Sequence, residues 1–99
     1  MAYGVVCTFD LKNASSADYE NAYADLKALG LKRAQGNSSG GETVVPTTTV
    51  LGAYNGESAA SVRDHVRTKV QAAFKARGLR SEIFVVVGGQ EWTWGSTTS

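Results

Sequence analysis

The residue with the clearest chemical potential is Asp10, which closes the run Tyr3-Gly4-Val5-Val6-Cys7-Thr8-Phe9-Asp10. Alternation along an extended chain puts Val5, Cys7 and Phe9 on one face and Val6, Thr8 and Asp10 on the other. One face can then build a core while the other carries a carboxylate. Carboxylate oxygens hold hard cations such as Mg²⁺, which orient water and offset the charge that builds on a phosphate during phosphodiester cleavage. A single aspartate per chain is a thin site, but two copies across a dimer axis could share one ion. The alternative is an aspartate that caps a turn through its side chain.

A second set of residues is cationic. Arg63, Arg67, Lys69, Lys75, Arg77 and Arg80 fall in one late stretch, and Arg63, Arg67, Gln71 and Lys75 recur at four-residue spacing, hence on one helix face. Such a face suits either solvent or a phosphate backbone; in the second case Arg63, Arg67, Lys75 and Arg77 are the nucleic-acid contacts and binding is strongly salt-dependent. His65, the only histidine, lies between Asp64 and Val66 and is read as a boundary or surface residue. No serine is spaced to use it as a catalytic base. The glycine-rich stretch Gly36-Asn37-Ser38-Ser39-Gly40-Gly41 lacks the Gly-Lys-Ser/Thr ending of a phosphate cradle and is read as a hairpin loop.

The elements that must position these residues follow from local pattern. Ser15 and Asp18 start a helix over about Ala17 to Leu29, with an inward stripe of Tyr19, Ala22, Tyr23, Leu26 and Leu29 and a stop at Gly30. Leu31 to Gln35 suits a charged edge strand. Thr43 to Leu51 is rich in β-branched residues and reads as a strand that Pro46 starts or bulges, and Gly52 to Gly56 reads as a turn. Ser58 caps a second helix with the stripe Val62, Val66, Val70, Ala73 and Phe74, ended by Gly78. Glu82 to Val87 is the last strong strand.

That order, strand-helix-strand-strand-helix-strand, predicts an α+β ferredoxin-like βαββαβ sandwich: a four-stranded antiparallel sheet with two helices on one face. The apolar run Phe84 to Val87 implies cover on both faces, and a partner subunit is the economical cover for the second, so a homodimer is expected. Trp92 and Trp94 either finish the chain's own core or form a short fifth C-terminal strand on the partner. The expected domain spans 1–95, with 96–99 as a flexible tail.

Composition bounds the function classes. A chain of 99 residues, 42% hydrophobic and 19% charged, is one ordinary globular domain and not a disordered segment. A net charge of +1 neither selects nor excludes nucleic acid. The lone cysteine, Cys7, rules out an internal disulfide and a multi-cysteine zinc site and is expected as a buried thiol. No export signal or membrane span is indicated, and a cytoplasmic location is expected. An RNA-recognition motif is the weaker reading of this topology, because Thr47 to Tyr54 lacks the Lys/Arg-Gly-aromatic run.

The strand end Phe9-Asp10-Leu11, the helix segment Ala22-Tyr23-Ala24-Asp25-Leu26 and the sequel from Leu29 to Gly36 together resemble virulence-associated protein D. That family resembles in turn the small dimeric CRISPR-associated endonucleases of the spacer-adaptation complex. The resemblance implies a ferredoxin-like dimer, Asp10 at the dimer interface, and Mg²⁺-dependent cleavage of RNA or DNA. After Gly36 this chain departs from the toxin-like pattern. The competing expectations are a non-catalytic dimerisation or regulatory module and a small-molecule sensor.

Overall fold

Packing in this chain starts from the alternation of its first strand. In the computed structural model, which describes residues 2–36, 42–44 and 48–89, β1 (Ala2–Leu11) buries Tyr3, Val5, Cys7, Phe9 and Leu11, while Asp10 is exposed. The next elements are α1 (Ser16–Ala28), β2 (Ala34–Gly36), β3 (Glu42–Val44), β4 (Thr49–Asn55), α2 (Ala59–Ala76) and β5 (Ser81–Gly88). β1 lies at the centre of a three-stranded antiparallel sheet in the order β4-β1-β5. β2 and β3 pair separately as a hairpin.

Both helices begin at capping boxes. The Asp18 backbone N–H donates to Ser15 Oγ at 3.2 Å and the Ser15 N–H donates to Asp18 Oδ2 at 3.0 Å. Ser58 and Ser61 repeat the arrangement at the start of α2. Ala22 and Leu26 of α1, with Val62, Val66, Val70 and Phe74 of α2, join Val5, Cys7, Phe9 and Val50 in one core cluster. Both helices therefore cover the same face of the sheet. A bidentate pair between Arg77 and Asp25, with Arg77 Nη2 to Asp25 Oδ1 at 2.9 Å, ties the end of α2 to α1.

Three expectations are corrected. The strand read over Thr43 to Leu51 is two, β3 and β4, with residues 45–47 outside the described residues. The turn read over Gly52 to Gly56 does not start at Gly52, because β4 runs on to Asn55. Gly52 sits there for a packing reason: a Cβ at this position would stand 2.6 Å from the Gly30 carbonyl oxygen, so only glycine lets β4 pass beneath the end of α1. Finally, the edge strand read over Leu31 to Gln35 touches β4 at one bridge, where the Lys32 N–H donates to the Leu51 carbonyl at 2.7 Å and the Leu51 N–H donates to the Lys32 carbonyl at 2.8 Å. Beyond it the chain pairs with β3 instead. The fourth strand of the expected sheet is therefore represented among the described residues by that bridge alone. Trp92, Trp94 and the tail lie outside the described residues.

Candidate functional site

The outward face of the sheet carries the candidate carboxylate. Register places Asp10 opposite Glu82, Thr8 opposite Phe84 and Val6 opposite Val86, all directed away from the helices. Phe84 is 65% exposed and Val86 48% exposed, so in the single chain β5 alternates between core and solvent despite its continuous apolar composition. Leu51, beside Val6, is buried at 3%, so the bare part of this face is its β1–β5 half.

Asp10 does not cap a turn. The chain reverses beyond it, at Asn13, whose φ of 51° takes the left-handed strain, and among the described residues no backbone N–H bonds the Asp10 carboxylate. Its cross-strand neighbour is another carboxylate, a pairing that destabilises a sheet by about 0.2–1 kcal/mol. Lys12 Nζ approaches Glu82 at 3.3 Å, but both side chains are well exposed, so this contact offsets little of that cost. Asp10, Glu82, Thr8, Thr48 and Phe84 border an open hollow of ≈310 Å³ at the end of the sheet. Two carboxylates can bind one side of a hard cation. Among the described residues of one chain, no group of three or more His, Cys, Asp or Glu could hold an ion.

The cationic candidates stand elsewhere. Arg63, Arg67 and Lys75 are exposed on α2, in the helical layer, and the sheet separates them from Asp10. They are also partly neutralised. Asp64 lies 3.0 Å from Arg63 Nε and 3.5 Å from Arg67 Nη2, and the hydrogen bond from Arg63 lowers its pKa. Arg77 is bound to Asp25, whose carboxyl that hydrogen bond likewise lowers. Lys75 has no carboxylate partner among the described residues. The four do not form one free patch.

His65 is exposed, with its ring edge-on to Tyr54 at 6.2 Å. Cys7 is fully buried, and desolvation pushes its thiol up to about 11, so it is an inert core side chain.

Sequence reasoning missed two features. Glu82 opens the last strong strand, and period-two alternation from Glu82 through Phe84 to Val86 is the signal that puts it on the outward face. Arg33 reads in the sequence as an edge charge, whereas its guanidinium lies 4.3 Å from the centroid of the Tyr23 ring. Among the described residues no helix is long and apolar enough to cross a membrane. No protein-family model matches the chain, and no curated protein matches it.

Proposed function

We propose that this protein is a cytoplasmic, ferredoxin-like homodimer that cleaves RNA or DNA with the help of Mg²⁺ bound by Asp10. The observation that carries this reading is the juxtaposition of Asp10 and Glu82 on a sheet face that also bears exposed Phe84 and Val86. Apolar side chains in that position favour burial against a second copy, and a two-fold axis there would assemble four carboxylates from two weak halves. Paired acids that cost stability in one chain become ligands once an ion stands between them. The Lys32–Leu51 bridge supports a fourth strand next to β4, as the ferredoxin-like sheet requires.

Bound there, the ion would lower the pKa of a coordinated water and neutralise charge on the phosphate. Asp10 and Glu82 would hold it, Thr8 and Thr48 border the space a phosphodiester would enter, and Phe84 would screen that space from water once a second copy covers it. Cleavage is a hydrolysis: a water oxygen forms the new bond to phosphorus, one ester P–O bond breaks, and the departing alkoxide takes up a proton. Purified protein should cut single-stranded RNA or DNA with Mg²⁺ and stop in EDTA. Asp10→Ala should abolish cleavage while the protein stays folded and dimeric. Cleavage that survives Asp10→Ala would overturn the assignment.

The competing reading is a non-catalytic dimerisation module, favoured by the exposure of Phe84 and Val86 taken alone. It is the correct one if the dimer forms and no Mg²⁺-dependent cleavage of either nucleic acid occurs.

A further inference from the structure

A second hollow adjoins the first. It measures ≈330 Å³ and is bordered by Ser16, Tyr19, Glu20, Tyr23, Arg33 and Thr48. Thr48 also borders the hollow at Asp10, so the two meet at the end of the sheet where β4 begins. That junction is fixed by the backbone: the Phe9 N–H donates to the Thr48 carbonyl at 3.0 Å, holding Thr48 against the strand that ends in Asp10 and Leu11.

The walls of this second hollow have a particular chemistry. Tyr19 is anchored at its hydroxyl, which accepts from the Leu11 N–H at 3.3 Å and donates to the Leu11 carbonyl at 3.4 Å. Tyr19 and Tyr23 are 6.4 Å apart with their rings tilted by 45°, and both pack on Phe9. Arg33 lies over the Tyr23 ring, and its buried Nε has no hydrogen-bond partner. Arg33 is half-buried at the wall of the hollow, so the outer N–H groups of its guanidinium, not the buried Nε, can meet an acceptor there. Glu20 adds a carboxylate, which repels a phosphate but accepts N–H groups. Aromatic rings, a guanidinium donor and a carboxylate acceptor match the flat face and polar edges of a nucleobase.

We infer that this hollow is a base-binding subsite, in which a nucleobase stacks at Tyr19 and Tyr23 and meets Arg33 and Glu20 at its edge, placing the adjoining phosphodiester near Asp10. The inference rests on the proposed function for its choice of nucleic acid as ligand. It assigns the substrate as single-stranded, because a base held in a duplex cannot enter such a hollow. The nucleic-acid contact thus lies beside Asp10 and not on the basic face of α2.

The test is binding without cleavage. Fluorescence anisotropy of a short fluorescein-labelled single-stranded RNA, and of the DNA of the same sequence, is measured in EDTA for wild type, Tyr23→Leu, Tyr23→Phe, Arg33→Gln and Lys27→Gln. Wild type should bind, Tyr23→Leu and Arg33→Gln should each weaken binding by about 5- to 100-fold, and Tyr23→Phe should restore most of the loss. Lys27→Gln, which removes an equal charge elsewhere on α1, should bind like wild type. The subsite is refuted if wild type fails to bind in EDTA, if Arg33→Gln binds as tightly as wild type, or if Lys27→Gln loses as much. Circular dichroism confirms that Tyr23→Leu is folded, and Arg33→Gln carries the test if it is not. A protein that binds as expected but leaves the RNA and DNA intact in Mg²⁺ refutes the cleavage reading and leaves the subsite standing.

Discussion

Replacing Gly52 by alanine tests how the helical layer is set on the sheet, and through it the position of Arg33. The added Cβ would lie 2.6 Å from the Gly30 carbonyl oxygen and 3.1 Å from Leu31 Cδ2. The first contact is with backbone, so no rotamer change relieves it; α1 must lift or β4 must sink. Overpacking of this kind costs about 1–3 kcal/mol. Alanine also restricts the unfolded chain, which returns about 0.4–1 kcal/mol because β4 is ordinary strand backbone here. The net loss is about 1–2 kcal/mol, or roughly 4–16 °C in Tm for a domain of this size. Urea denaturation should show a lower midpoint with an unchanged slope. Gly88→Ala, where no atom stands within 4 Å of the added carbon, is the control and should be neutral or slightly stabilising. A Gly52→Ala protein as stable as wild type would refute the close approach, and with it the reason given for a glycine inside β4.

Other expectations concern charge. Asp10→Asn should stabilise the protein in EDTA by about 0.2–1 kcal/mol, since it removes a like-charge cross-strand pair, and should abolish the rise in Tm that the proposed Mg²⁺ site predicts for wild type; a loss of stability in EDTA would contradict the repulsion. The Asp25 carboxyl is held below 3.8 by its hydrogen bond from Arg77, so its stabilising contribution is present above that value and is lost as pH falls through the lower folded pKa. Asp25→Asn should therefore flatten the acid limb of a Tm-versus-pH curve, and an unchanged limb would count against the pairing. The Cys7 thiol, raised from 9.0 to about 11, contributes stability that is complete below pH 9 and lost as pH rises toward 11; thiol-specific labelling at pH 8 should occur only at the rate of unfolding. Labelling of the native protein within seconds would show that the core is open at Cys7.

Both helices were legible because their signals are local: serine caps at Ser15 and Ser58, stripes at helical spacing, and glycines at positions 30 and 78 with φ of 91° and 71°. The two faces of β1 were legible for the same reason, since alternation from Val5 to Asp10 needs no knowledge of the rest of the chain. β4 was less legible because the requirement for Gly52 comes from α1, more than 20 positions away, while glycine locally signals a turn. β5 misled through residue type. Phe84 to Val87 is uniformly apolar and by itself does not say which members face out; the mark lies just before it, in the charge of Glu82, which alternation carries to Phe84 and Val86. Asp10 was recognisable as an outward carboxylate, but its pairing with Glu82 depends on the register between β1 and β5. The Arg33–Tyr23 contact joins a loop to a helix ten residues earlier and has no periodic signature.

The central claim is that two copies of the chain complete one cation site. Isothermal titration of the apo protein with Mn²⁺, beside Val86→Glu, tests it most directly. The variant retains Asp10 and Glu82 and places a charge on the proposed interface at a residue that does not border their hollow, and sedimentation equilibrium reports its oligomeric state. One ion per two chains is predicted for a dimeric wild type, and no comparable binding by a folded, monomeric Val86→Glu protein. A wild type that is monomeric, or a monomeric variant that binds Mn²⁺ as tightly as wild type, would contradict it.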